Sequence, residues 1–227
     1  MGVLVRSYLI LYNVAQCLGW TWLLTRLAPE CTRLWAEGST APFTGQLYAA
    51  IELPLKVFQT AAVLEIVHAL VGLVRSNPLL TAFQVFSRVF VTWAVVHSVP
   101  EAQTCPGLPC LLWAWVITEI IRYAYYAGNL LGWTPYAVVW LRYTLFIGLY
   151  PLGVTGELWC SYVSLARIQR QGLYTVSLPN AWNVTFNYYV VLILIMFSYI
   201  PIFPQLYLHM FRQRKKVLYG GATLKKE

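Results

Sequence analysis

Residues 137–165 read AVVWLRYTLFIGLYPLGVTGELWCSYVSL, and this stretch decides the fold class. It is apolar for longer than the roughly 20 residues that a helix needs to cross a bilayer. It nevertheless contains Arg142, Tyr150 and Glu157, with a proline and two glycines between the last two. Since lipid offers no partners for backbone groups, a helix is the expected structure. The stretch predicts a transmembrane helix whose polar groups face other helices.

The composition of the whole chain agrees with a membrane location. Of the 227 residues, 59% are hydrophobic and only 11% are charged, and the mean hydropathy is +0.60. So few polar side chains cannot cover a soluble globule of this size, which excludes that class.

Five further apolar runs are long enough to span a bilayer, and short loops rich in turn-forming residues separate them. The six predicted spans cover roughly residues 3–25, 47–74, 79–99, 108–127, 137–165 and 186–211. The first run has no small-residue cleavage site after its apolar part, so we expect it to be retained as a span. The predicted fold class is an all-α membrane protein with six transmembrane helices.

Basic residues near the C-terminus determine the predicted orientation. Six of the sixteen Lys and Arg residues follow the last run: Arg212, Arg214, Lys215, Lys216, Lys225 and Lys226. By the positive-inside rule this places both termini in the cytosol, although four arginines of the predicted loops then fall on the other side. We expect one six-helix transmembrane domain at 1–211 and a basic cytosolic tail at 212–227. Anionic lipid accounts for the net charge of +8, so no nucleic-acid partner is expected.

Eight charged residues lie well inside the apolar runs, four of each sign. They are Lys56, Arg88, Arg122, Arg142, Glu52, Glu65, Glu119 and Glu157. Because a charge in hydrocarbon costs about 2.5–3.5 kcal/mol, this balance predicts pairing. Glu119 with Arg122, and Glu52 with Lys56, have the spacing of ion pairs within one helix.

The three arginines among these residues leave two interpretations open. With cytosolic termini, Arg88, Arg122 and Arg142 lie in the cytosolic halves of their spans, where a guanidinium cluster suits an entering phosphate. Alternatively, each arginine balances a glutamate for packing. Arg88 and Arg142 have no acidic partner at ion-pair spacing within their own spans, so they must pair across the bundle, and Glu65 is the expected partner of Arg88.

Tyr150 and Glu157 lie two helical turns apart on one face, roughly 10 Å along the axis. Pro151 removes a backbone hydrogen bond, and Gly153 and Gly156 soften the next turn, so we expect a local kink. The glycines would also let another chain or a ligand approach the backbone. The pattern predicts either a catalytic phenol and carboxylate or a packing kink with a hydrogen-bonded Tyr–Glu pair.

Histidines, cysteines and one sequon give weaker signals. Three histidines, expected to be hydrogen-bonded packing residues, lie in three spans: His68, His97 and His209. No Cys/His spacing suggests a metal site. Cys105 and Cys110 share one loop and are either bridged or two free thiols. Asn183 begins an N-x-T sequon next to the last span, and its glycosylation stays open.

Several stretches together resemble the 3-hydroxyacyl-CoA dehydratase family, once called protein tyrosine phosphatase-like proteins. They cover nearly the whole chain: LYNVAQCLGW, QTAAVLEIVHALVGLVRS, QVFSRVF, ITEIIRY, WLRYTLFIGLYPLGVTGE, GLYTVSLPN and YIPIFPQLYLHM. The resemblance implies a six-span, multi-pass protein of the endoplasmic reticulum membrane. It implies a lyase that dehydrates (3R)-3-hydroxyacyl-CoA to trans-2-enoyl-CoA, the third step of very-long-chain fatty acid elongation.

The resemblance also implies the residues and partners involved. Tyr150 and Glu157 match the family's catalytic tyrosine and glutamate. Its other functionally important positions match Glu65, Arg88, Glu119, Arg122, Arg142 and Gly153. No cofactor or metal is expected. The expected partners are a long-chain 3-hydroxyacyl-CoA, membrane lipid, and the elongase, ketoreductase and enoyl reductase of the same cycle.

The older family name can be tested on the residues. A tyrosine phosphatase needs a cysteine nucleophile and an arginine in an HC-x5-R motif. Here the motif reads His68, Ala69 and Arg75, so the nucleophile is missing and this chemistry is excluded. A non-catalytic scaffold for elongation or trafficking partners is the main alternative. A proton-coupled carrier is a second, which the lack of paired broken helices disfavours.

For dehydration we expect Glu157 to remove the C2 proton and Tyr150 to protonate the leaving 3-hydroxyl, with the exchanged assignment left open. Tyr150 lies about 13 residues, or roughly 20 Å, from the cytosolic start of its span. The pantetheine arm reaches that depth, so we expect the CoA phosphates to meet Arg142 or Arg122 nearer the cytosol.

Overall fold

The computed structural model describes residues 2–36, 45–181 and 183–219, which are helical over most of their length. The α-helices are α1 (Val3–Ala36), α2 (Gln46–Ala61), α3 (Val63–Leu70), α4 (Pro78–Phe90), α5 (Pro100–Gln103), α6 (Gly107–Leu131), α7 (Tyr136–Arg142), α8 (Phe146–Gln171) and α9 (Tyr188–Tyr219). A π-helical segment, Val91–His97, continues α4 directly. Extended pairing in the described ranges is limited to one bridge, between Val176 and Phe186. The all-α prediction is confirmed for these ranges.

The six predicted apolar runs are all helical. Single helices (α1, α6, α9) form the first, fourth and sixth runs, and consecutive segments form the others. By length and composition, two described helices can cross a membrane, Pro78–His97 and Tyr188–Tyr219. The α7–α8 pair is a third if it counts as one span, with a bend of 44° at its break. The chain is therefore a helical membrane protein with two or three candidate spans.

Helix α6 lies between α1 and α8 and forms the middle of the core. Its inward-facing apolar side chains include Leu108, Leu111, Leu112, Trp115 and Val116. Helix α9 differs, because Tyr188 and Leu192 are the residues it buries while Leu194, Phe197 and Ile200 are exposed. A long apolar helix with so little buried surface fits contact with lipid.

Glycines allow α6 and α8 to pack backbone against backbone. A Cβ atom on Gly156 would lie 2.5 Å from the amide nitrogen of Leu111 and 2.6 Å from the carbonyl oxygen of Gly107. A Cβ on Gly153 would lie 3.3 Å from the Cβ of Ala114. The sequence predicted a close approach at these glycines, and the approaching chain is α6. Since Leu111 faces Gly156 and Ala114 faces Gly153, the two helices run antiparallel.

Pro151 does not interrupt α8, which is continuous from Phe146 to Gln171. A bend of 44° lies upstream, in the break between Arg142 and Phe146, and the kink predicted at Pro151 itself stays a prediction. Pro151 leaves the carbonyl of Ile147 without its intrahelical donor. The hydroxyl of Tyr207 in α9 donates to that oxygen at 2.8 Å, so the freed carbonyl is satisfied from a neighbouring helix.

Both ends of the described chain lie at one end of the helix bundle. Arg6 near the start of α1 donates from Nε to the carbonyl of Leu130 at the end of α6. The ring of Phe211 in α9 packs on Phe146 at the start of α8, 5.1 Å between centroids. The helix continues past the predicted domain boundary at 211 to Tyr219. The predicted tail residues beyond it lie outside the described residues.

Candidate active site between helices α6, α8 and α9

Glu157 is a buried carboxylate, with 9% of its surface exposed. The indole Nε1 of Trp115 in α6 donates to its Oε1 at 2.8 Å. The hydroxyl of Tyr199 in α9 donates to its Oε2 at 2.7 Å. Gly156 next to it gives α8 the close contact with α6 that brings Trp115 into range. Three helices therefore meet at this one side chain.

Tyr150 lies on α8, seven residues before Glu157, and packs against α9. Its ring stacks on Phe203 at 5.0 Å and on Tyr207 at 5.9 Å between centroids, with interplanar angles of 6° and 15°. Among the described residues its hydroxyl makes no hydrogen bond. The alternative of a hydrogen-bonded Tyr150–Glu157 pair is therefore wrong, because Tyr199 provides the phenol that bonds the carboxylate. The Tyr150 hydroxyl remains available for a ligand.

A second polar cluster lies on the same face of α6, one turn from Trp115. At its centre is Glu119, which is 1% exposed. Arg122 donates from Nε to Oε2 of Glu119 at 2.9 Å, which confirms the predicted pair within α6. Arg88 of α4 forms an ion pair with Glu119, so the predicted Arg88–Glu65 pair is wrong.

Glu65 instead pairs with Arg122. The two terminal nitrogens of the Arg122 guanidinium, Nη1 and Nη2, donate to the two carboxylate oxygens of Glu65 at 2.7 and 2.8 Å. The hydroxyl of Tyr123 donates to the same carboxylate. Four charges from α3, α4 and α6 thus balance, which favours the packing interpretation for Arg88 and Arg122 over a free anion site.

Arg142 differs from these arginines. Among the described residues it makes no ion pair, although the sequence predicted a partner across the bundle. Its guanidinium carbon lies 4.8 and 4.9 Å from the ring centroids of Tyr125 and Tyr126, and Nη2 donates to the Tyr126 hydroxyl at 3.2 Å. Its buried Nε has no hydrogen-bond partner within the ranges that the structure describes. Arg142 is therefore a cation on an aromatic surface with donor capacity to spare.

The Lys56–Glu52 pair predicted within one helix is confirmed. His68, His97 and His209 are hydrogen-bonded, as predicted, to Tyr8, Tyr48 and Gln213 respectively. His68 is buried, whereas His97 and His209 are exposed, so the predicted packing role is confirmed for His68 alone of the three. Cys105 and Cys110 are both free, and Cys105 instead contacts Cys160 with 3.4 Å between the sulfur atoms. Within the described ranges no three His, Cys, Asp or Glu side chains converge as a metal site would require. Asn183 is exposed, with a φ of 50°.

Sequence reasoning missed Trp115 and Tyr199. Trp115 is four residues before Glu119, so the two share a helix face that the charged residue already marked. Tyr199, Phe203 and Tyr207 recur every fourth residue and form one face of α9.

Two cavities at the surface, of about 410 and 320 Å³, are lined by neither Tyr150 nor Glu157.

The fold and the site define a helical membrane protein with a buried carboxylate and a phenol suited to acid–base chemistry. The chain belongs to the protein tyrosine phosphatase-like protein family, PTPLA, whose family model matches residues 59–220.

Curated relatives match nearly the whole chain. The chain is 51% identical to "Very-long-chain (3R)-3-hydroxyacyl-CoA dehydratase 2" of Homo sapiens, over 95% of this chain and 82% of that protein. It is 46% identical to the dehydratase hpo-8 of Caenorhabditis elegans, over 97% and 99% of the two chains. It is 40% identical to the dehydratase PASTICCINO 2 of Arabidopsis thaliana, over 96% of each. No solved structure gives a significant match.

Proposed function

We propose that the protein is a (3R)-3-hydroxyacyl-CoA dehydratase, a lyase that forms trans-2-enoyl-CoA in the third step of very-long-chain fatty acid elongation. The observation that carries this is the buried Glu157 carboxylate on one helix face with the uncommitted hydroxyl of Tyr150. Removal of water needs a base at C2 and an acid at the 3-oxygen, and these side chains can supply both. Curated relatives carry this activity in their names.

The reaction then proceeds as a balanced elimination. Glu157 takes the proton from C2, and the electron pair of the C2–H bond becomes the new C2–C3 double bond. The C3–O bond breaks, and the leaving oxygen takes the phenolic proton of Tyr150 to depart as water. Transfer of the proton from Glu157 back to Tyr150 restores both groups. No electron leaves the substrate, so its oxidation state does not require a redox partner.

The hydrogen bonds favour Glu157 as the base. Indole Nε1–H of Trp115 can only donate, so Oε1 of Glu157 must accept, and the Tyr199 hydroxyl donates to Oε2. Donors on both oxygens match the ionised carboxylate. The Tyr150 hydroxyl donates to no acceptor in the described part of the chain, which suits a neutral phenol that donates to substrate. The exchanged assignment would require the opposite protonation of both groups.

Arg142 is the arginine that suits a CoA phosphate. Arg88 and Arg122 are neutralised by Glu119 and Glu65, so of these three arginines Arg142 keeps a charge that no described carboxylate balances. Guanidinium groups bind phosphate oxygens through paired N–H donors. Arg142 is eight residues before Tyr150, on the other side of the bend between α7 and α8. The pantetheine arm therefore joins the phosphates at Arg142 to the thioester near Tyr150 and Glu157.

The topology proposed is six spans with both termini in the cytosol, in the endoplasmic reticulum membrane. Both ends of the described chain lie at one end of the bundle, as an even number of crossings requires. Arg142 then lies toward the cytosol, where CoA is. The acyl chain lies among the spans and enters beside α9, the long helix that buries the least surface. The proposed partners, an elongase, a ketoreductase and an enoyl reductase, act on either side of this step.

The test is direct. The purified protein is incubated in lipid nanodiscs with (3R)- or (3S)-3-hydroxyacyl-CoA of long chain length, and the enoyl product is measured by mass spectrometry. We expect product from the (3R) isomer. Folded protein that forms no enoyl-CoA from either isomer would contradict the proposal and favour the non-catalytic scaffold.

A further inference from the structure

The two donors to Glu157 come from helices that contribute no other acid–base group to the proposed reaction. We propose that Trp115 and Tyr199 are positioning residues, which hold the Glu157 carboxylate by both oxygens in the orientation that takes the substrate's C2 proton. This inference rests on the proposed dehydratase function. It assigns part of the active site to Trp115 of α6 and Tyr199 of α9, two residues that the sequence analysis did not predict as site residues.

The chemistry explains why two donors are needed. The terminal torsion of a glutamate is broad, so an unsupported carboxylate samples many orientations of its oxygens. Donors from two helices, at 2.8 and 2.7 Å, fix the plane of the group. An ionised carboxylate offers about four lone-pair sites, so two hydrogen bonds leave capacity for the incoming proton. A base held in a near-attack geometry is far more effective than a mobile one.

The placement of Tyr199 is determined by its neighbours on α9. Phe203, four residues later, stacks on Tyr150, and Tyr207, four residues further, donates to the carbonyl of Ile147. These contacts set how α9 is aligned along α8, and that alignment brings the Tyr199 hydroxyl to Glu157. One face of α9 therefore contacts three groups of α8: the proposed base, the proposed acid, and the backbone carbonyl that Pro151 leaves without its intrahelical donor.

The experiment compares Tyr199→Phe and Trp115→Phe with matched controls. Tyr162→Phe removes a hydroxyl from α8 that is 67% exposed, and Trp133→Phe changes an indole that is 74% exposed. Each protein is titrated in nanodiscs with the enoyl-CoA product to count binding sites, and kcat is expressed per site. Both test variants should lose about tenfold to a hundredfold in kcat per site, since a hydrogen bond to a charged group is lost. KM should change by less than about twofold, and the controls should match the wild type.

Counting sites separates positioning from a structural role. If Trp115 and Tyr199 only stabilised the fold, the number of sites would fall while kcat per site stayed at the wild-type value, and the proposal would be overturned. The Tyr199→Phe change should also have no further effect on a protein that already carries Glu157→Gln. An equal loss in both backgrounds would contradict action through Glu157. If the wild type itself forms no enoyl-CoA, the dehydratase function fails and this inference falls with it.

Discussion

Replacement of Gly156 by alanine should disable the site by separating α6 from α8. The added Cβ would lie 2.5 Å from the Leu111 nitrogen and 2.6 Å from the Gly107 oxygen, and both are backbone atoms that cannot rotate away. Restoring ordinary contact at about 3.4 Å requires the helices to move apart by about 0.9 Å. Such overpacking costs about 1–3 kcal/mol of folding free energy.

The separation should reach the chemistry, because Trp115 is one turn beyond Leu111 and Glu157 directly follows Gly156. Lengthening their 2.8 Å hydrogen bond by a similar amount would break it. Misplacement of a catalytic group by about 1 Å can cost roughly 100-fold in rate. We therefore expect Gly156→Ala to lower kcat for (3R)-3-hydroxyacyl-CoA by about 100-fold and to lower the melting temperature.

The same helix provides a graded control series. A Cβ on Gly148 meets no atom of the described residues within 4 Å, so Gly148→Ala should keep full activity and gain some helix stability. A Cβ on Gly153 meets one atom among the described residues, the Cβ of Ala114 at 3.3 Å, so Gly153→Ala should have a small effect. Activity and melting temperature are measured for all three. The reasoning is refuted if Gly156→Ala behaves like Gly148→Ala.

Three further changes probe the polar groups. Arg142→Gln should raise KM for the CoA substrate at least tenfold with little change in kcat; a fall in kcat alone would indicate a structural role. Glu119→Gln should destabilise the protein by about 3–5 kcal/mol, since two half-buried arginines lose the buried carboxylate they share; an unchanged melting temperature would contradict this. Outside the spans, a hydrogen bond from Arg167 holds the pKa of Glu101 below its usual range. The ion pair stabilises the fold fully at pH values above the ordinary pKa of a glutamate. Its contribution is lost as the pH falls through the lowered pKa of Glu101. The melting temperatures of wild type and Arg167→Gln should therefore converge at acidic pH. A difference that persists there would exclude the ion pair as its cause.

Local sequence patterns predicted the features of the fold that depend only on residues close together along the chain. The apolar runs gave the helices, and the spacing of Glu119 and Arg122 gave their ion pair, because both follow from the helical period. The partner of Arg88 could not be predicted in this way. Whether it meets Glu65 or Glu119 depends on how far α4 slides along α6, and no local pattern encodes that register.

The hydrogen-bond donor to the carbonyl that Pro151 frees could not be predicted for the same reason. Proline frees a carbonyl in any helix, but here Tyr207, far along the chain, satisfies it. Tyr199 and Trp115 were hidden because aromatic residues in apolar runs are usually core residues. Their role as donors becomes visible only when three helices are placed together around Glu157.

The central claim is that Glu157 and Tyr150 together remove water from the bound thioester. The most direct measurement is kcat per enoyl-CoA binding site for Glu157→Gln and Tyr150→Phe in nanodiscs. Each variant should keep its full number of sites and lose about 10²–10⁴-fold in kcat. Turnover within a few-fold of the wild type in either variant would contradict the claim.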